Sequence, residues 1–108
     1  MIDFETIKEK EKKGFKGGEL SAFIKKKEDG LNRIMHVRLT PGASVGLHRH
    51  ADSSEIIYIL NGDATVTTDG KTETVPVGCA SYCKKGSVHT VKNNGTSDLI
   101  YFAVVTMQ

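Results

Sequence analysis

The stretch from Pro41 to Gly62, PGASVGLHRHADSSEIIYILNG, brings three side chains of metal-binding type close together in the chain. His48 and His50 are two residues apart, and residues two apart on a strand point to the same side. Glu55 follows five residues after His50, at the start of an isoleucine-rich run that favours a neighbouring strand. Two imidazole nitrogens and one carboxylate oxygen that converge on a point suit a first-row divalent metal ion.

A second stretch, residues 78–93 (GCASYCKKGSVHTVKN), supplies a fourth candidate ligand, His89. Three imidazoles and one carboxylate leave two positions of an octahedral ion open for water, substrate or dioxygen. We therefore expect one divalent metal ion per chain, bound by His48, His50, Glu55 and His89. The ligand types do not distinguish among iron, manganese, nickel, zinc and copper.

The spacing within the first stretch resembles the first sequence motif of the cupin superfamily. That motif runs from a glycine through His-x-His and a glutamate to a second glycine. Gly42, His48, His50, Glu55 and Gly62 stand at its positions, and every spacing fits.

The second stretch is similar to the second cupin motif, with Gly78, Gly86, His89 and Asn93 at the motif positions. One position departs from the pattern, because Lys84 stands where the motif has a proline that shapes a turn. The departure concerns the geometry of that loop and not the ligand set. The resemblance covers residues 42–93, and it implies a small jelly-roll β-barrel with the metal inside.

Length and charge exclude several classes of protein. The 108 residues indicate one domain with one hydrophobic core. The formal net charge of +2 is small and the basic residues are mixed with acidic ones, so we expect no nucleic-acid partner. No apolar run approaches the roughly 20 residues that span a membrane, and the charged N-terminus is unlike a signal peptide. We therefore expect a cytoplasmic protein with no membrane partner.

The N-terminal segment is predicted to be a short helix at residues 3–13, capped by Asp3 and ended by Gly14. No residue from Lys8 to Lys13 is apolar, so the run KEKEKK would be a solvated face. We expect residues 1–18 to form a helical appendage and residues 19–108 to form a single barrel domain.

The rest of the chain has the pattern of short strands separated by glycine turns. In one strand Met35, Val37 and Leu39 should face the core, and Asp69-Gly70 should turn a hairpin. The sequence thus predicts an all-β protein, a sandwich or barrel. Its strands are expected near residues 20–27, 31–40, 56–60, 64–68, 72–77, 79–83, 88–92 and 99–105.

Two of these strands, 56–60 and 99–105, are apolar on both faces. A strand with one face in water should alternate apolar and polar residues. A chain of this length with one short helix has little left to cover two outer faces. We therefore expect a homodimer that buries them, and the cupin resemblance implies the same.

Few titratable residues other than the ligands are expected near the pocket, and the catalytic candidates are Tyr58, Tyr82, Cys83 and Arg33. Arg33 lies on the strand face of Met35 and could bind an anionic substrate group at the pocket mouth. Cys79 and Cys83 would have Cα atoms ~13 Å apart on a strand, whereas a disulfide needs less than ~7 Å. Unpaired thiols fit a reducing compartment.

The sequence is compatible with two functions. The first is a small metalloenzyme that acts on a small organic molecule, with dioxygenase, isomerase or lyase chemistry, and the open metal positions favour it slightly. The alternative is a non-catalytic cupin that binds or senses a sugar or an organic acid. A purely structural metal is disfavoured, because structural sites are normally closed. The fold alone does not decide between them.

Overall fold

The structure, a computed structural model, describes residues 1–108 and forms two antiparallel sheets. The larger sheet has the order β1-β2-β3-β10-β5-β8, and the smaller sheet has the order β4-β9-β6-β7. The strands are β1 (Lys10–Lys13), β2 (Ser21–Glu28), β3 (Asn32–Leu39), β4 (Ser44–Arg49), β5 (Ser53–Asn61), β6 (Ala64–Thr68), β7 (Lys71–Val75), β8 (Ala80–Cys83), β9 (Val88–Lys92) and β10 (Leu99–Met107).

The helical content is two single turns of 3₁₀ helix, at Phe4–Thr6 and Phe15–Gly17. The all-β class and the jelly-roll architecture are therefore confirmed. Neither helical turn approaches the length that a bilayer crossing requires.

The hydrophobic core lies between the inner faces of the two sheets. Met35, Val37 and Leu39 are buried along β3, as predicted, and the residues between them are partly exposed. Ile57 and Ile59 are buried along β5 in the same alternating way. These strands thus give the core every second side chain, and the same alternation decides which of their residues can reach the interior.

The centre of the larger sheet is β10, which pairs with β3 on one side and with β5 on the other. Its outer residue Phe102 is half-buried. Phe4, from the first helical turn, packs edge-on against Phe102 with ring centroids 6.2 Å apart. The N-terminal segment therefore covers part of the outer face for which the sequence predicted a partner chain.

The predicted helix at residues 3–13 is wrong beyond its first turn. Asp3 is the cap, as predicted, and its carboxylate accepts a hydrogen bond from the Glu5 amide at 3.0 Å. The chain then becomes extended, and Lys10–Lys13 pairs with β2 as the edge strand β1. The run KEKEKK has no apolar stripe that would stabilise a helix, whereas the edge of β2 offers main-chain hydrogen bonds. The division of the chain at residue 18 stays a prediction.

The segment that follows β1 packs directly on the main chain of β4. A Cβ atom on Gly18 would lie 2.0 Å from the carbonyl oxygen of Ser44. A Cβ atom on Gly46 would lie 2.1 Å from the carbonyl oxygen of Lys16. Only glycines permit this approach, and it holds residues 15–18 beside the strand that carries His48.

We predict that Gly18→Ala lowers the free energy of unfolding by about 2 kcal/mol, because the two backbones must separate to admit a methyl group. Gly30→Ala is the matched control, since a Cβ atom there meets nothing within 4 Å. Its effect should stay within about 0.5 kcal/mol. Urea denaturation of the two variants and the wild type measures both values, and equal midpoints for all three would contradict the close approach.

Candidate metal centre

The four candidate ligands lie together between the two sheets. His48 is on β4, His50 directly follows that strand, Glu55 is on β5 and His89 is on β9. His48 and His89 are directly opposite each other in the pairing of β4 with β9. One donor atom from each of the four side chains lies within 4.8 Å of the others. Long-range strand pairing therefore completes the set that the His-x-His spacing begins.

All three imidazoles present the same nitrogen, Nε2, to this point. The carboxylate oxygen Oε1 of Glu55 is 3.1 Å from Nε2 of His50 and 3.0 Å from Nε2 of His89. Nε2 of His89 is also 3.0 Å from Nε2 of His50 and 3.1 Å from Nε2 of His48.

Groups behind two of the rings fix their orientation. Nδ1 of His48 is 2.7 Å from the carbonyl oxygen of Gly46. Because a carbonyl oxygen only accepts, Nδ1 carries the proton, and Nε2 of the neutral ring presents a lone pair. Nδ1 of His50 is 2.8 Å from the hydroxyl of Ser53. Partners of this kind orient histidine ligands in metal sites.

The short distances between the Nε2 atoms of the three histidines are consistent with a site that binds a cation. Burial lowers the pKa of His48 and keeps its ring neutral, although the hydrogen bond to Gly46 opposes this. Nε2 of His89 faces a carboxylate oxygen and two imidazole nitrogens, yet it carries at most one proton. A cation would satisfy the remaining lone pairs together, and a set of three imidazoles and one carboxylate suits a first-row divalent ion.

Glu55 is the one carboxylate of the cluster, and it is only 7% exposed. Burial by itself would raise its pKa, but hydrogen bonds from His50 and His89 outweigh burial and hold the pKa at about 2. The site therefore presents an ionised oxygen to any cation near neutral pH.

The ligands line a pocket of about 160 Å³. Apolar side chains, including those of Met35, Val37 and Val91, form half of its lining residues. Three basic residues, Lys16, Arg33 and Arg49, also line it, and no carboxylate other than Glu55 does. The pocket is therefore small and rich in positive charge.

The loop that carries Lys84 in place of the motif proline closes against His50. The Ser87 amide donates to the Lys84 carbonyl at 3.0 Å, and Gly86 adopts a left-handed conformation with φ of 88°. The Gly86 amide donates to the His50 carbonyl at 2.6 Å, and the His50 amide donates to the Ser87 carbonyl at 2.9 Å. The turn therefore forms with lysine, and it ties His50 to the approach to β9.

The family model of the cupin domain matches residues 35–105. The chain belongs to the cupin family. This cupin is 34% identical over 98 residues to an oxalate-binding protein of Thermotoga maritima, a match that covers 88% of this chain and 81% of that protein.

Solved structures show the same likeness. A predicted oxalate decarboxylase from Thermotoga maritima matches with a TM-score of 0.94 at 26% identity, over 100% of this cupin and 99% of that chain. The cupin domain of Cnp3 from Schizosaccharomyces pombe matches with a TM-score of 0.83 at 14% identity, over 100% of this cupin and 74% of that chain. The second match shows the fold alone.

Only one of the four catalytic candidates, Arg33, lines the pocket. Tyr58 and Tyr82 lie on the outer face of the larger sheet and are 44% and 53% exposed. Tyr58 is three residues from Glu55 and so points to the opposite side of β5, and Tyr82 lies opposite the exposed Ile56. The expectation that these tyrosines lie near the pocket is therefore wrong.

Cys83 lies directly opposite Glu55 in the pairing of β5 with β8, and it is 1% exposed. It faces the interior but does not line the pocket. Burial and the nearby Glu55 carboxylate raise the pKa of its thiol to about 11, so the thiolate is scarce near neutral pH. Cys79 is exposed, and neither cysteine forms a disulfide, as predicted.

Three residues of the site, Lys16, Arg49 and Ser53, were not predicted from the sequence. Ser53 is two residues before Glu55 on β5, so strand alternation would have placed it on the same side. Arg49 lies between the ligands His48 and His50 in the sequence, and this position could have indicated that it lies near the pocket. Lys16 lies in the segment predicted to be an appendage, and no local pattern links it to the pocket.

We predict that one thiol per chain reacts rapidly with Ellman's reagent at about pH 8, and that the second reacts only on unfolding. Cys79→Ser should abolish the rapid phase, because the buried Cys83 thiol has a raised pKa. Cys83→Ser should preserve it. A rapid phase that survives Cys79→Ser would contradict the burial of Cys83.

Proposed function

We propose that this protein is a metal-ion-binding cupin that holds one divalent ion with His48, His50, Glu55 and His89 and binds a small carboxylate, such as oxalate, beside it. The observation that carries the proposal is the convergence of the four donor atoms within 4.8 Å, in a pocket that also contains three basic side chains.

The four ligands restrict the metal to the divalent first-row ions. Iron, manganese, nickel, zinc and copper all accept mixed imidazole and carboxylate ligands, and availability would select among them. When bound, the ion would supply a Lewis acid to which a carboxylate oxygen can coordinate. Gly46 and Ser53 keep two of the imidazoles in the orientation that this binding needs.

The charges around the pocket support an anionic ligand. Lys16, Arg33 and Arg49 each contribute a positive charge to the lining. A guanidinium such as that of Arg33 can bind a carboxylate with two parallel N–H donors. A volume of about 160 Å³ fits a small molecule. The oxalate-binding relative, at 34% identity over most of both chains, supports the same ligand class.

The pocket favours binding over catalysis by proton transfer. Apart from the ligands, the titratable residues in its lining are Lys16, Arg33, Arg49 and Tyr101. Burial raises the pKa of Tyr101 well above its ordinary value, so its hydroxyl stays protonated. No further imidazole or carboxylate is placed to act as a general base.

A metalloenzyme of the lyase type is the second candidate, ahead of the dioxygenase and isomerase types. It draws support from the solved relative described as a predicted oxalate decarboxylase, which matches the full length of this chain. Formate release from oxalate by the metal-loaded protein would favour this candidate over binding alone.

We predict that the protein purified without a metal-affinity step contains close to one divalent ion per chain, and that His50→Ala removes it. His36→Ala is the matched control, because His36 lies on the outer face of β3, where Phe4 packs against it. Elemental analysis measures the metal content. Oxalate titrated calorimetrically into each protein should bind the wild type and His36→Ala only.

Two results would overturn this function. One is an absence of metal after incubation of the wild-type protein with each of the five ions. The other is oxalate binding of equal strength in the wild type and His50→Ala. Circular dichroism spectra of the variants would show that the fold is retained in each case.

We also propose that the protein is a homodimer formed through the outer face of the larger sheet. Ile56, Tyr58, Leu60 and Tyr82 are 44–53% exposed on neighbouring strands of that face. Large apolar side chains gathered in this way favour a partner, and a two-fold interface would cover the patch with its own copy.

If this dimer forms, a charged residue introduced on the apolar outer face should dissociate it. Ile56→Glu should produce monomers in sedimentation velocity, because it places a carboxylate at the buried centre of the interface. Leu31→Glu, at an apolar residue 66% exposed in the turn between β2 and β3, should stay dimeric. A monomeric wild type, or a dimeric Ile56→Glu variant, would contradict this interface.

The cytoplasmic location and the lack of nucleic-acid and membrane partners stay predictions. Two free cysteines support a reducing compartment.

A further inference from the structure

A second cleft, of about 410 Å³, lies at the open edge of the larger sheet beside the N-terminal segment. Its apolar lining residues are Ile7, Phe15, Ile24 and Met35. Every other lining residue is basic, and these are Lys8, Lys10, Lys12, Lys16, Lys26 and Arg33. An apolar surface bordered by six cations and no carboxylate is complementary to an organic anion.

Strand geometry separates the charges of the N-terminal run. Lys10 pairs with the buried Ile24, and Lys12 pairs with the buried Ala22, so both lysines lie on the inner face of the sheet. The glutamates between and beside them lie on the outer face. Glu9 forms an ion pair with Arg38 at 2.9 Å, and Glu11 accepts a hydrogen bond from the Ser21 hydroxyl at 2.7 Å. A helix would have mixed these charges, whereas the strand gives the cleft only the positive ones.

The charge in the cleft is largely uncompensated. Glu28 lies 3.2 Å from Lys26 and 3.2 Å from Arg33, so one carboxylate is shared by two cations. Lys8, Lys10, Lys12 and Lys16 form no ion pair. These four ammonium groups therefore remain available to an anionic ligand.

The cleft adjoins the metal pocket. Phe15, Lys16, Arg33 and Met35 line both cavities. Neighbouring strands of a sheet are about 4.8 Å apart, so the backbone of β1 lies roughly 19 Å across the sheet from that of β5, which carries Glu55. The lysine side chains of β1 line the same cleft as Met35 and shorten the gap that a ligand must span. Oxalate is too short to extend from the four ligands to the lysines of β1.

We propose that the cleft is a second anion subsite, and that the preferred ligand is an extended dianion. One carboxylate lies at the metal centre, an apolar chain crosses Phe15 and Met35, and the far anionic group lies among the lysines of β1. This inference rests on the proposed carboxylate binding at the metal centre and defines which carboxylates bind best.

The test is a series of straight-chain dicarboxylates of increasing length, from oxalate through succinate and suberate to sebacate, titrated calorimetrically into the metal-loaded protein. Affinity should rise once the chain reaches the cleft. Lys10→Gln combined with Lys12→Gln should weaken sebacate binding about ten-fold, which corresponds to about 1.4 kcal/mol. The same variant should change oxalate binding less than about two-fold, since oxalate stays at the metal centre.

The matched control is Lys13→Gln combined with Lys27→Gln. It also removes two positive charges, one from the outer face of β1 and one from the outer face of β2, because Lys13 pairs with Ser21 and Lys27 with Ile34. Sebacate binding should be retained in this control. Equal losses in the two double variants would overturn the subsite, because they would report net charge alone. Dicarboxylate affinities that do not depend on length would overturn it as well.

Failure of the cleft and failure of the metal site give different results. If the metal site is wrong, oxalate does not bind, while the metal-free protein still binds sebacate in a manner sensitive to Lys10 and Lys12. If the cleft is wrong, oxalate binds the metal-loaded protein, and sebacate binds no better than oxalate. Decanoate, which has the apolar chain but lacks the second carboxylate, should bind less tightly than sebacate.

Discussion

The burial of the Glu55 carboxylate among three imidazoles is the constraint on which the interior of this protein depends. An ionised carboxylate that is 7% exposed would be costly without partners, and His50 and His89 are in hydrogen-bond contact with it. These residues come from different strands of both sheets, so the cluster forms only when β4, β5 and β9 are all in place. The packing of the core and the geometry of the four ligands therefore depend on the same pairing registers of β4, β5 and β9.

The N-terminal segment joins the fold to the function. By adding β1 to the edge of the larger sheet, it places Lys10 and Lys12 on the inner face of that sheet. Gly18 and Gly46 then allow residues 15–18 to approach β4, which puts Phe15 and Lys16 in the wall of the metal pocket. The metal pocket and the basic cleft share this wall. A change in this segment would alter the charge and shape of both.

Strand alternation explains which functional residues the sequence could identify. His48, His50 and Glu55 follow from local spacing, and Ser53 would have followed from the same rule applied to Glu55. Tyr58 was misplaced because an odd separation from Glu55 puts it on the outer face. The helix at residues 3–13 was predicted from a capping residue, Asp3, and a terminating glycine, Gly14, whereas the free edge of β2 makes a strand more favourable. That edge is a property of the folded sheet.

The sequence by itself determined the all-β class, the four candidate ligands and the alternating core, because each depends on residue types at short, fixed separations. Tertiary structure alone decided that His89 pairs opposite His48, that the loop at Lys84 closes on His50, and that Arg33 and Lys16 meet at one pocket. It also decided that the lysines and glutamates of the N-terminal run face opposite sides of a sheet. These outcomes depend on pairings between residues distant in the chain, and such pairings are set by the packing of two sheets, which no local pattern contains.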